Sequence, residues 1–145
     1  EEQKQVRMRL ADTLRWVISQ RLALSLKGGR TALLEIMGAN LRTKESIVMG
    51  ESEGKSFYEI IEASYPFGWR TFDHSCLEGY EQGLISEDTA LLYCSKRGVV
   101  SRGIDNVKKR RGEATSTLTH LQLKTPPSTG AGFKDAPGAG PLKLK

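Results

Sequence analysis

Three groups of residues have side chains of a kind that could do chemistry. The first is Gly50-Glu51-Ser52-Glu53-Gly54-Lys55-Ser56, which ends in the Gly-Lys-Ser of a phosphate-binding loop. Such a loop needs four residues between its glycines so that successive backbone N–H groups wrap the phosphates; here there are three. It should also follow a buried strand, whereas this segment follows a helical stretch. Glu51 and Glu53 would in addition repel a phosphate. The segment therefore reads as a joint between helices, with Ser52 or Ser56 as a cap.

The second group is His74, Cys76 and Cys94. A zinc site built on them lacks a fourth ligand, since His120 lies in the tail and Cys76 falls on the apolar face of its helix. Asp73 and His74 make no catalytic pair, because adjacent helical residues point in different directions. No Ser/His/Asp or Cys/His arrangement is visible. The chain is thus expected to carry no catalytic, cofactor-binding or metal-binding residue of its own, and its two cysteines read as reduced, partly buried thiols.

The third group is basic. Lys96, Arg97, Arg102, Lys108, Lys109, Arg110 and Arg111 face a single acid, Asp105, so the net charge of +5 belongs to one short segment rather than to the whole chain. Two capped helices precede it, Thr71–Gln82 and Glu87–Cys94, joined across Gly83. That order resembles a helix-turn-helix, and it supports an alternative reading as a small nucleic-acid-binding module. The second helix, however, opens Ser86-Glu87-Asp88, placing negative charge where a recognition helix would meet phosphate.

The elements that would position these groups follow from periodicity. Val6, Leu10, Leu14, Val17 and Ile18 lay one apolar stripe, which predicts a helix from Glu1 to Gln20. Leu22, Leu24 and Leu26 then alternate with small or polar residues, Lys27-Gly28-Gly29-Arg30 supplies a hairpin turn, and Thr31 to Met37 returns as a second strand closed by Gly38. Two apolar strands call for a sheet, and no other good strand is present to supply one. Short helices follow: Ile47 and Val48 are expected to face inward on one, Phe57, Ile60 and Ile61 on the next. Tyr65-Pro66-Phe67-Gly68-Trp69 reads as an aromatic loop. Thr71 caps a helix in which Phe72, Cys76, Leu77, Tyr80 and Leu84 share a face, with Gly83 at its end. Ser86 caps another, with Ile85 stapled against Ala90, and Val99, Val100, Ile104 and Val107 mark a last basic helix. From residue 112 the chain is rich in Thr, Pro and Gly without periodicity, and a disordered tail over 112–145 is expected.

The length of 145 residues accommodates a real core. No apolar run approaches a membrane span and no signal peptide opens the chain. Its first residue is Glu1 rather than Met, which suggests that the natural start lies upstream.

Five segments in order carry a family resemblance. Val17-Ile-Ser-Gln-Arg-Leu, Gly28-Gly-Arg-Thr-Ala-Leu-Leu-Glu-Ile-Met37, Gly54-Lys-Ser, Phe67-Gly-Trp-Arg-Thr-Phe-Asp73 and Gly83-Leu-Ile-Ser-Glu-Asp-Thr-Ala90 together resemble the C-terminal region of the twitching-motility (retraction) ATPases, the PilT family of type II/IV secretion ATPases. The family's Ala-Ile-Arg-Asn-Leu-Ile-Arg helix corresponds here to Arg42-Thr-Lys-Glu-Ser-Ile-Val48, which keeps only its helical character and Ile47. The resemblance implies a mostly α chain with one β-hairpin: residues 1–38 as the end of a RecA-like P-loop ATPase core, 39–111 as a C-terminal helical cap, and 112–145 as the tail. It implies a hexameric parent that hydrolyses ATP with Mg2+ to drive type IV pilus retraction, cytoplasmic and peripheral to the inner-membrane pilus platform proteins, with no nucleic acid and no membrane insertion. The family's phosphate loop, acidic boxes and His box all precede the region covered here. The fragment alone is therefore expected to bind no nucleotide and to be inactive, and, its hairpin lacking a sheet, to self-associate or fold poorly.

Overall fold

A computed structural model describes residues 1–115. The elements in order are α1 (Glu2–Thr13), β1 (Trp16–Leu24), β2 (Arg30–Gly38), α2 (Leu41–Met49), α3 (Phe57–Ala63), a 3-10 turn (Tyr65–Phe67), α4 (Phe72–Glu81), α5 (Glu87–Tyr93) and α6 (Arg97–Arg111). The chain is mostly helical, with a two-stranded antiparallel hairpin, as expected. The tail expected to be disordered lies, from residue 116 onward, outside the described residues.

The first expected helix is corrected. It ends at Thr13, and Val17 and Ile18 belong to β1, which starts at Trp16 rather than Leu22. Leu26 lies beyond the strand. The physical reason is cross-strand pairing: Trp16-Val17-Ile18, residues that suit a pleated surface, lie opposite Gly38, Met37 and Ile36. A spacing of three and four happened to link those residues to Leu14. Nor is the helical stripe buried. Val6 and Leu10 are exposed, and only Ala11 of α1 is buried, at its contact with α2.

The hairpin pairs Trp16 with Gly38 through to Leu24 with Arg30. Its inner face lies on α4: Ala23 and Leu33 join Phe72, Cys76, Ile85, Ala90, Val100 and Ile104 in the main core. Leu77, Tyr80 and Leu84 pack against the same cluster, which fulfils the face read for α4, and Ile85 and Ala90 are buried together as the staple requires. A second cluster gathers Ile60, Ile61, Trp69 and Met37.

The caps stand where serine and threonine were read. Thr71 accepts from His74 N–H, Ser86 accepts from Thr89 N–H, and Ser56 forms a reciprocal box with Glu59. Gly83 and Gly112 follow α4 and α6 at φ 66° and 71°, the left-handed conformation that ends a helix. On α2 the residues fully withdrawn from water are Thr43 and Ser46; Ile47 and Val48 are only half-buried, contrary to the expectation. The hydroxyls explain the inversion, since Thr43 donates to the Gly38 carbonyl and Ser46 to that of Lys55. The aromatic loop is a 3-10 turn closed by Gly68 at φ 84°.

Candidate functional site

Gly50–Ser56 is a helix joint. Glu51 accepts from Phe57 N–H at 2.7 Å, and Ser56 caps α3 with Glu59 as its partner. The Ser56 hydroxyl, with its backbone N–H, holds the Glu59 carboxyl below its usual range. One of the two loop acids, Glu51, therefore serves the start of a helix.

His74, Cys76 and Cys94 are not brought to one point. His74 stacks on Tyr65 with ring centroids 4.5 Å apart and shares a hydrogen bond with the Thr71 hydroxyl. Cys76 is fully buried, and Cys94 donates to the Leu91 carbonyl. Among the described residues no group of three His, Cys, Asp or Glu side chains is placed to hold a metal ion.

Burial pushes the Cys76 thiol up to about 12, with the neighbouring Cys94 and Asp73 adding to it. The thiol form is thus favoured by folding. That contribution is complete below the ordinary value of 9.0 and is lost as pH rises from there to about 12. Cys76 is accordingly expected to react with iodoacetamide at pH 8 on the order of 100-fold slower in the folded chain than in urea, because the thiolate is what reacts. Peptide mass spectrometry checks this, and equal labelling in both states would contradict the burial.

Asp73 is the residue that sequence reasoning missed. Beside His74 it has no evident partner in sequence, yet it is 2% exposed and accepts four hydrogen bonds from three donors. Ser95 N–H lies 2.6 Å from Oδ1, Lys96 N–H reaches both oxygens at 3.2 and 3.1 Å, and Tyr58 donates its hydroxyl at 2.8 Å. One carboxylate on α4 therefore holds the chain entering α6 and a side chain of α3. Burial, then this hydrogen bond, drives the Tyr58 hydroxyl upward, so it remains a donor. Lys96 Nζ closes over the Tyr58 ring at 3.7 Å. An acid at the first turn of a capped helix was the available signal, but only tertiary contact shows what it receives.

The end of the basic segment is paired with neighbouring helices. Lys108 pairs with Glu87 at 2.6 Å and Arg110 with Glu81 at 2.9 Å, while Arg111 donates to the Glu81 carbonyl. Its hydrogen bond to Glu87 raises the Lys108 ammonium, so the pair is kept through neutral pH. Three of the four cations closing α6 are thus directed at α4 and α5 rather than outward at phosphates. That arrangement favours a helical lock over a nucleic-acid face.

The remaining surface of note is the hairpin. The outer edge of β2 is closed: Ile36 and Arg70 exchange backbone hydrogen bonds at 2.8 and 3.1 Å, and Ser75 both donates to the Leu34 carbonyl and accepts from its N–H. Among the described residues the sheet has two strands, and no strand pairs along β1. Trp16, Ile18, Leu22 and Leu24 are 58%, 65%, 46% and 67% exposed along it. Arg21, on the inner face, lies over the Phe72 ring at 3.8 Å and donates to the Tyr93 carbonyl.

No protein-family model matches the sequence, and no curated protein matches it. Among solved structures, the pilus retraction motor PilT with bound ADP matches over 70% of this chain at a TM-score of 0.55 and 24% identity. Its fold is PilT-like. The Legionella pneumophila ATPase DotB also matches, over 63% of the chain at a TM-score of 0.49 and 21% identity. The chain spans 27% of the length of the PilT structure and 24% of that of DotB. The fold that the five segments suggested therefore has support from the backbone of the PilT structure. No helix among the described residues is long and apolar enough to cross a membrane.

Proposed function

We propose that the chain is the C-terminal portion of a hexameric ATPase motor that powers type IV pilus retraction by hydrolysing ATP. In this reading residues 1–38 end a RecA-like core, 39–111 form its helical cap, and 112–145 are a tail. The observation that carries it is the PilT-like fold taken with the open edge of β1. The hairpin is held on one face by α4, and an unpaired strand edge is where a sheet is extended. With β2 closed by Arg70 and Ser75, a core sheet joins at β1. ATP and Mg2+ belong to the longer parent, and the residues of this chain supply the cap and a sheet edge rather than a nucleotide site. The parent works in the cytoplasm against the platform proteins of the pilus base.

The test is a pair of measurements. The reading frame upstream of Glu1 is expected to encode a Gly-rich phosphate loop after a strand. The protein carrying that frame is expected to hydrolyse ATP, and the 145-residue chain to show none above background. Turnover by the shorter chain, or an upstream frame without the loop, overturns the proposal.

A further inference from the structure

We propose that two copies of this 145-residue chain join through β1, edge to edge and antiparallel, about a two-fold axis at Gln20. In the hairpin, the N–H and C=O groups of Ile36 and Leu34 point away from β1, to Arg70 and Ser75. Their direct partners Ile18 and Gln20 therefore point their own groups outward, because residues of a non-hydrogen-bonded pair face away from each other. The same parity covers Trp16, Leu22 and Leu24. The free edge ends there, since Leu26 N–H is taken by the Leu84 carbonyl at 2.8 Å.

The open positions are symmetric about Gln20. Antiparallel pairing on that centre sets Gln20 against Gln20, Ile18 against Leu22, and Trp16 against Leu24, each as a hydrogen-bonded pair. All the outward backbone groups are satisfied at once, apolar side chains meet apolar side chains, and the two carboxamides at the axis can bond each other. No other register does all three. A shift by one residue opposes inward-pointing groups to outward ones, and a shift by two puts Gln20 against an aliphatic side chain.

Protected edges carry lysine, proline or a bulge, and β1 has none of these. Its one charge, Arg21, is held on the inner face over Phe72. The exposed parts of Trp16, Ile18, Leu22 and Leu24 form a strip on the order of 500 Å2, near the largest patch ordinary monomers show. Where a core sheet is present it claims the same edge first; in the 145-residue chain taken alone a second copy is the occupant. The inference uses the edge alone and stands or falls apart from the ATPase reading.

The experiment is sedimentation of the 145-residue chain over a concentration series, with three variants. The unchanged chain is expected to be a dimer. Gln20→Pro removes an outward N–H at the axis and no bond of the hairpin ladder, so it is expected to give a monomer with unchanged helicity. Gln20→Cys is expected to cross-link two copies under mild oxidation, since paired residues there lie about 5.5 Å apart between Cα atoms, within disulfide reach. Arg30→Cys, on the other strand, is expected not to. A monomer at all concentrations overturns the proposal, as does a dimer that Gln20→Pro leaves intact. If Gln20→Pro does not fold, the two cysteine variants decide: no cross-link at position 20, or equal cross-linking at 30, overturns it.

Discussion

Asp73→Ala is expected to lower the free energy of unfolding by about 3–5 kcal/mol. Hydrogen bonds to a charged acceptor are worth about 1.5–3 kcal/mol each, and those sharing one acceptor do not simply add. The substitution strands the N–H groups of Ser95 and Lys96 and the hydroxyl of Tyr58, which all converge on this carboxylate. It also frees the start of α6, because Lys96 is the residue before that helix and has no side-chain cap of its own. The loss should therefore be uneven. Amide exchange is expected to accelerate first across α6 and α3, while the β1–β2 ladder is affected less. Asp73→Asn keeps one acceptor for the backbone donors and is expected to cost less than half as much. Urea denaturation measures both, and a loss under about 1 kcal/mol for Asp73→Ala would show that the carboxylate is dispensable.

Gly38→Ala is expected to cost about 2–3 kcal/mol, the range for forcing extra volume into a packed site. A Cβ at this position would stand 2.7 and 2.8 Å from two atoms of the Trp69 indole. The ring has nowhere simple to go. It is 6% exposed, packs with Ile60, Ile61 and Met37, and meets Trp16 edge-on with centroids 6.5 Å apart. A rigid bicycle responds to such a clash by moving as a whole, so tryptophan fluorescence is expected to shift toward that of exposed indole. Adding Trp69→Leu should recover part of the stability, because the smaller and more flexible side chain yields space. Thermal unfolding of the single and double variants checks the pair; an unperturbed Gly38→Ala would mean that the indole does not rest on this glycine.

The two effects share a feature. In each, one element reads correctly from local pattern while its partner comes from far along the chain. Asp73 draws in Tyr58 from 15 residues before and Ser95 from 22 after. Trp69 reaches back to Gly38. Neither pairing leaves a periodic trace, so each is decided by packing.

By itself the sequence determined what depends on neighbours. The caps at Ser56, Thr71 and Ser86, the glycine stop at 83, the hairpin turn at Gly28-Gly29 and the inward face of α4 follow from a few residues whose side chains or φ angles satisfy local backbone groups. The rejection of a phosphate loop at Gly50–Ser56 belongs here too, because spacing and charge are local properties. Tertiary structure decided the rest. Val17 and Ile18 fit a helical stripe and a strand equally well, and cross-strand pairing with Met37 and Ile36 selected the strand. Thr43 and Ser46 are polar by composition and become core because carbonyls of Gly38 and Lys55 await their hydroxyls. Most of the cations at the end of α6 look like a surface for phosphates until Glu81 and Glu87 are placed beneath them. Which edge of the hairpin stays open follows the same rule: β1 and β2 are both apolar strands, and only the arrival of Arg70 and Ser75 against β2 leaves β1 as the side to be paired.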